Sequence, residues 1–393
     1  MNSENKLLEV AKVFFKLGLF AFGGPAAHIA MMEEEVVNKR KWMSRQHYLD
    51  LIGATNLIPG PNSTEMTMHC GHERAGFKGL FVAGISFIFP AVITTGLLAY
   101  AYTEYGELPN IKPLFYGIKP AVLAVIASAI LKLGKKAIKG WELVFFGVVV
   151  LGLSLTGINE IIALLGTGIL GAFYFYIKHK VSTTTQSILP FFLVNFGLSG
   201  ITKLTTLNVF LTFLKVGSIL YGSGYVLFAY LKVELVETGF LTNQQLLDAI
   251  AMGQFTPGPV LSTATFIGYQ LTGFWGAIAA SVGIFLPSFL FVLLLNPLIP
   301  KMQKSKFLRG FLDSVNVAAV GIMIAVLLTM VRDTIFPEIT TEQLSLESLK
   351  QYFDWKALFI ASISSLLIFR FKKVNVMWTI LGGALLGFLL SFT

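Results

Sequence analysis

Charge is scarce in this chain: of 393 residues only 13% are Asp, Glu, Lys or Arg, against roughly 25% in ordinary soluble domains. Cysteine is nearly absent. Cys70 stands alone, which excludes an internal disulfide and leaves the redox compartment open. No Walker loop, dinucleotide fingerprint or nucleophile–base arrangement occurs, so ATP-driven pumping by this chain alone and enzymatic catalysis both lack a constellation, and no cofactor is expected. His69-Cys70-Gly71-His72-Glu73 carries ligand-type side chains, but not at the spacing of a structural zinc site. The corresponding stretch Ile267-Gly268-Tyr269-Gln270 has none, so a helix end at an interface is expected and no metal. No small-residue cleavage site follows the first apolar run, and no cleaved signal peptide is expected.

What fills the chain instead is apolar. Hydrophobic residues make up 55% and mean hydropathy is +0.73. Gly79–Tyr102, Pro113–Leu133, Ile161–Ile177, Gly276–Leu295 and Val315–Val331 approach the ~20 residues of a spanning helix. The expected fold class is an all-α polytopic membrane protein. The net charge of +9 then reads as basic cytoplasmic loops rather than a nucleic-acid surface.

Two stretches interrupt the apolar pattern in the same way: Asn56-Leu57-Ile58-Pro59-Gly60-Pro61-Asn62-Ser63-Thr64 and Gln254-Phe255-Thr256-Pro257-Gly258-Pro259-Val260-Leu261-Ser262. Proline cannot continue a helix interior but suits the first turn of a new helix. Each stretch therefore predicts a short helix, a break and a second short helix whose N-terminal N–H groups and dipole favour an anion. In a membrane such broken backbone survives only where protein or a wet cavity surrounds it, and in matched halves it points to a transporter's binding site.

The halves do match. Lys16 pairs with Lys215 and Glu35 with Glu234 at an offset of 199; Pro59 pairs with Pro257 at 198, and Pro90 with Pro287 at 197. Duplication with single-residue slips explains the drift. Loop charge alternates between the copies: Lys132–Lys139 is basic where Asp333–Asp354 is acidic, and Glu33–Arg45 is basic where Lys232–Glu237 is acidic. Equivalent loops on opposite sides imply inverted-topology repeats, each with about five spanning helices plus a re-entrant hairpin built from Tyr48–Ile58 and Asn62–Gly71 or their counterparts. The repeats are expected at 1–187 and 188–393, both termini outside, with Ile188–Ile201 either interfacial or spanning.

An inverted repeat brings both breaks together, and a small dianion fits between them. Gly60, Asn62, Ser63, Thr64, Gly258, Ser262 and Thr263 supply backbone, amide or hydroxyl groups, and Asn56 and Gln254 match across the repeat. The alternative is that Pro-Gly-Pro only turns a hairpin. Lys16 and Lys215, inside apolar segments, either balance the anion's charge or snorkel to an interface; Lys119 is a third such lysine. Gly23, Gly24 and Gly222 lie in a second pair of glycine-rich breaks, donors to the anion or mere close-packing points. Glu65 is a candidate proton carrier, with Thr263 as its non-ionisable counterpart.

Phe22-Gly23-Gly24-Pro25, Trp42, Pro59-Gly60-Pro61-Asn62 and the duplicated Pro257-Gly258-Pro259 together resemble the chromate ion transporter family in its long, two-domain form. Nearly the whole chain is covered. The resemblance implies a prokaryotic plasma-membrane transporter that exports chromate, an anion similar in shape and charge to sulfate. The first functional reading is a secondary transporter of chromate or a similar tetrahedral oxyanion, by antiport with protons or on the membrane potential, with membrane lipid and a second copy in a homodimer as candidate partners. A passive anion channel of the same fold is the competing reading. The copies differ: Tyr221-Gly222-Ser223-Gly224 lacks the proline of the first, and Val260-Leu261 replaces Asn62-Ser63, so unequal contributions are expected.

Overall fold

The computed structural model describes residues 3–22, 24–106, 108–109, 111–178, 205–221, 224–295, 305–337, 352–371 and 376–392; Gly23, Gly222 and Ile188–Ile201 lie outside them. The described residues hold fourteen α-helices and no strand. In the first half these are α1 (Ser3–Phe20), α2 (Pro25–Glu33), α3 (Arg45–Thr55), α4 (Asn62–Tyr105), α5 (Lys112–Ala137), α6 (Trp141–Leu155) and α7 (Glu160–Lys178). The second half has α8 (Thr206–Ile219), α9 (Leu227–Leu231), α10 (Asn243–Phe255), α11 (Thr263–Leu295), α12 (Lys306–Ile335), α13 (Trp355–Arg370) and α14 (Val376–Leu390).

Five helices among the described residues are long and apolar enough to cross a membrane: Asn62–Tyr105, Lys112–Ala137, Glu160–Lys178, Val260–Leu294 and Lys306–Ile335. Large side chains such as Leu97, Trp141, Phe145, Ile162 and Trp275 point outward, as a lipid-facing surface requires. The all-α polytopic membrane fold therefore holds.

The first apolar segment of the sequence, Val10–Met32 with its interruption at Phe22-Gly23-Gly24-Pro25, is folded back on itself. Pro25 starts α2, and the π-helical segment Glu34–Lys39 that continues it comes back beside α1: Glu9 meets Arg40 at 3.7 Å while Lys16, further along α1, meets Glu35 at 4.0 Å. A second fold-back comes next. Ser44 caps α3 by accepting from the His47 N–H, the chain turns at Pro59-Gly60-Pro61, and α4 comes back until Glu73 lies 3.2 Å from His47. Arg74 then joins Glu9 at 2.7 Å. The starts of both fold-backs thus share one end of the molecule, and their tips, at Ala21 and Ile58–Pro61, are buried.

Helix α4 is two arms. Ala75 and Gly76 (φ 64°) leave helical geometry, and the arms close so tightly that a Cβ on Gly71 would strike the Gly79 carbonyl. Helix α11 repeats this with a break at Thr272 and Gly273 (φ 69°) and Gly268 against Gly276. The long second arms meet where Phe81, early in its arm, stacks on Phe289, late in the other, at 5.4 Å.

The halves are interleaved rather than side by side. Helix α5 packs on α13 and α14, and α12 packs on α6 and α7, while α4 crosses α11. The boundary near residue 187 divides the sequence and not the space.

Candidate functional site

The tips of the fold-backs meet across the two halves, and they meet reciprocally. Gly60 donates its N–H to the Leu220 carbonyl at 2.6 Å, and Gly258 donates to the Ala21 carbonyl at 2.9 Å. Each Pro-Gly-Pro break is thus held by the end of the other half's first helix. Both glycines have positive φ, 140° and 85°, which side chains with a Cβ rarely adopt. The glycine N–H groups, which the sequence offers to an anion, are in this conformation given to carbonyls. Each break leads directly into a helix start. Thr64 and Glu65 are the first N–H donors of α4, both to the Pro61 carbonyl, while Val260–Ser262 forms a single 3-10 turn before α11.

The two tips differ chemically. Around Gly60, Glu65 is fully buried with both carboxyl oxygens unpartnered among the described residues, and so are the Oγ atoms of Thr64 and Ser288. A Cβ on Gly60 would strike the Glu65 carboxyl and come within 2.6 Å of Ser288 Oγ, so these groups share one spot. At the second tip the position equivalent to Ser288 is Ala91, whose Cβ would lie 3.0 Å from one built on Gly258. There a hydroxyl cluster forms instead, with Thr95 Oγ1 3.3 Å from Thr256 Oγ1 and 3.1 Å from Ser262 Oγ. Gln254 Nε2 is buried and has no hydrogen-bond partner among the described residues.

Buried polar groups without partners are rare in folded proteins and call for an explanation, an unseen ligand among them. Thr64 and Glu65 at the start of α4, with Ser288 beside Gly60 and Gln254 at the second tip, offer hydroxyls, an amide and a carboxyl that can meet a small anion, the carboxyl able to hold a proton beside it.

Other candidate residues fall into place around this junction. Ser63 is buried beside Thr64; Asn62 donates to Asn56 Oδ1 at 2.7 Å across the first tip; Thr263 Oγ1 donates to the Val260 carbonyl at 2.8 Å. Gly24 is the N-cap of α2. In the former zinc-like stretch, His69 and Cys70 are buried and Glu73 faces His47.

Each lysine of the matched pair faces a matched glutamate. Lys215 Nζ lies 2.7 Å from Glu234 Oε1, and Lys16 Nζ lies 4.0 Å from Glu35 Oε1. Lys119 pairs with buried Asp248 at 3.5 Å, and Tyr102 donates to the same carboxylate at 2.6 Å. Glu35 has further cations: Lys39 at 3.2 Å and Arg40 in close contact. Burial alone would push the Glu35 carboxyl up, yet hydrogen bonds from Lys39 and Arg40 hold it below the ordinary carboxylate value.

Sequence reasoning missed Ser288, Thr95 and Thr256, and it left the two glutamates as repeat markers. The offset of 199 shared by Lys16–Lys215 and Glu35–Glu234 was the available signal for the ion pairs. Ser288 comes directly after Pro287, already matched to Pro90, so its departure from Ala91 was visible; nothing marked Thr95.

A family model described as chromate transporter matches residues 8–172 and 207–388. A "Probable chromate transport protein" of Synechococcus elongatus is 30% identical, over 84% of this chain and 86% of its own. A "Chromate transport protein" of Cupriavidus metallidurans is 28% identical, over 97% and 92%. An "Uncharacterized transporter YwrA" of Bacillus subtilis is 27% identical over 37% of this chain and 82% of its own length, about one repeat. No solved structure matches.

Proposed function

The chain belongs to the chromate transporter family, and from that premise we propose that it exports chromate or a similar tetrahedral oxyanion, bound between its two Pro-Gly-Pro tips. It is a multi-pass protein of a prokaryotic plasma membrane and a transporter, not an enzyme. The observation that carries the binding site is the cluster of buried, unpartnered polar atoms at Thr64, Glu65 and Ser288 beside Gly60. The anion takes up Ser63, Thr64 and the N-terminal N–H groups of α4 on one side, and Ser262, Thr263 and Gln254 on the other.

The halves act as inverted repeats. The matched breaks within α4 and α11 support this, as does the reciprocal bonding of the tips. The loops alternate in charge accordingly, so the end bearing Glu9, Arg40 and Arg74 is cytoplasmic, and the start of α1, expected outside, lies there too because the first segment folds back instead of crossing. Movement of the two pairs of fold-backs about their joined tips opens the site to each face in turn. Glu65 couples the cycle to protons, because a carboxyl enclosed beside a dianion changes its charge cheaply only by taking or releasing a proton. Lys16 and Lys215 lie one each side of the tips and balance the anion's charge.

The test is transport in proteoliposomes of chromate, sulfate, molybdate and phosphate, with and without a pH gradient. Saturable, gradient-dependent movement of chromate is expected. Conductance without saturation or ion coupling would make the protein a passive anion channel.

A further inference from the structure

Resting on the reading that Lys215 meets the transported oxyanion, we propose that Glu234 competes with that oxyanion for the Lys215 ammonium, so that the substrate must displace a carboxylate to bind. Lys215 lies in α8 five residues before Leu220, whose carbonyl holds Gly60. Five residues of helix rise by roughly 7.5 Å, and helical side chains lean toward the N-terminus, so the flexible stem of Lys215 approaches the Gly60 tip by swinging away from Glu234 toward the end of α8. The ammonium can therefore turn either to Glu234 or to an anion at the Gly60 tip. It is a compact point charge without a preferred plane, so a carboxylate and a tetrahedral oxyanion are interchangeable partners for it.

The two copies of the ion pair are unequal. The Lys215–Glu234 contact is 2.7 Å, with side chains 23% and 13% exposed; Lys16–Glu35 is 4.0 Å, with Lys16 67% exposed. Glu35 is already held by Lys39 and Arg40, whereas the corresponding positions after Glu234 are Thr238 and Gly239, which carry no charge. Lys16 is thus nearly released and Lys215 is engaged. In this conformation the site can use the first lysine at once and the second only after Glu234 lets go.

The signs of the expected effects separate this from a structural ion pair. Chromate uptake into inside-out vesicles is measured for Glu234→Gln, Glu35→Gln, Lys215→Met and the double variant Lys215→Met with Glu234→Gln. Gln keeps the shape of Glu and removes its charge. Glu234→Gln should lower the half-saturating chromate concentration by about tenfold, and Lys215→Met should raise it by about tenfold or more. Glu35→Gln should leave it within about twofold, because Arg40 and Lys39 already hold that carboxylate. The double variant should match Lys215→Met, since without the ammonium there is nothing to compete for. If Glu234→Gln does not reach the membrane, Glu234→Asp, which withdraws the carboxylate, should shift the same way. Unchanged half-saturation in Lys215→Met overturns the contact between Lys215 and the anion. A weakened Lys215→Met with an unchanged or weakened Glu234→Gln overturns the competition alone. Two impaired single variants with a recovered double variant would identify a structural pair.

Discussion

Gly60 and Leu220 are joined by a 2.6 Å backbone hydrogen bond between halves that are 160 residues apart in sequence, and Gly258 and Ala21 repeat it at 2.9 Å. Neither broken helix could be left with buried, unpaired backbone in an apolar surrounding. Here each break is satisfied by the place where the opposite first helix ends, and where that helix's own carbonyls lack partners. The site is therefore a joint product of the two halves, and a change at one tip is felt at both.

Substituting alanine at either tip should stop transport while leaving the helices formed. Gly258→Ala places a Cβ 3.1 Å from the Gly18 carbonyl and 3.0 Å from Ala91 Cβ, at a φ of 85°. Gly60→Ala drives a Cβ into the Glu65 carboxyl and Ser288. The backbone strain alone is about 1–2 kcal/mol, which a membrane bundle of this size tolerates. Chromate transport in vesicles and helix content by circular dichroism should separate: activity lost, helicity kept. Normal transport by both variants would reduce the tips to hairpin turns.

The repeat, the breaks and the membrane class were legible because each is a local property. Proline within an apolar run breaks a helix whatever surrounds it, and duplicated residues keep their offset. Partnership across the fold could not be read in the same way. Gly60 N–H looked free because Leu220 is distant in sequence, and Lys16 and Lys215 looked unpaired because their glutamates lie after a glycine-rich break. Val10–Met32 looked like one segment because hydropathy does not record direction; only the pairs Glu9–Arg40 and Lys16–Glu35 show the chain turning back.

Orientation can be checked by labelling single cysteines in a Cys70→Ala background, Cys70 being buried. Arg45 and Lys136 are exposed at one end of the molecule in the inverted arrangement, and Glu237 at the other. In intact cells an impermeant thiol reagent should label the Glu237→Cys protein and spare Arg45→Cys and Lys136→Cys. Equal labelling of the Arg45 and Glu237 variants would remove the inverted orientation, since equivalent hairpins would then open to one side.

Glu65→Gln should uncouple the transporter. The amide fills the same space beside Gly60 and Ser288 but cannot exchange a proton. Chromate movement without a pH gradient should persist, and the ratio of rates with and without the gradient should fall to about one. A variant that keeps the full response to the gradient would clear Glu65 of proton transfer and leave it as a packing group.

The pair Lys119–Asp248 tests how a buried charge is tolerated between the halves. Lys119 is on α5 and Asp248 on α10, 3.5 Å apart, and Tyr102 on α4 donates to Asp248 at 2.6 Å. The lysine side chain is 14% exposed and the aspartate 4%, so solvent screens them little. The equivalent of Asp248 is Asp50, which is exposed and accepts from Gln46, so only the second half uses this position for a buried ion pair. Removing one partner strands the other, at a cost of about 3–5 kcal/mol, whereas removing both relieves most of that penalty. Lys119→Met and Asp248→Leu should each lower detergent stability by more than the double variant does. A cycle built from the three proteins and the parent should return an interaction energy of about 1–3 kcal/mol. Strict additivity would show that water or another group already meets these charges, and that the halves are held at this level by α5 and α10 packing alone.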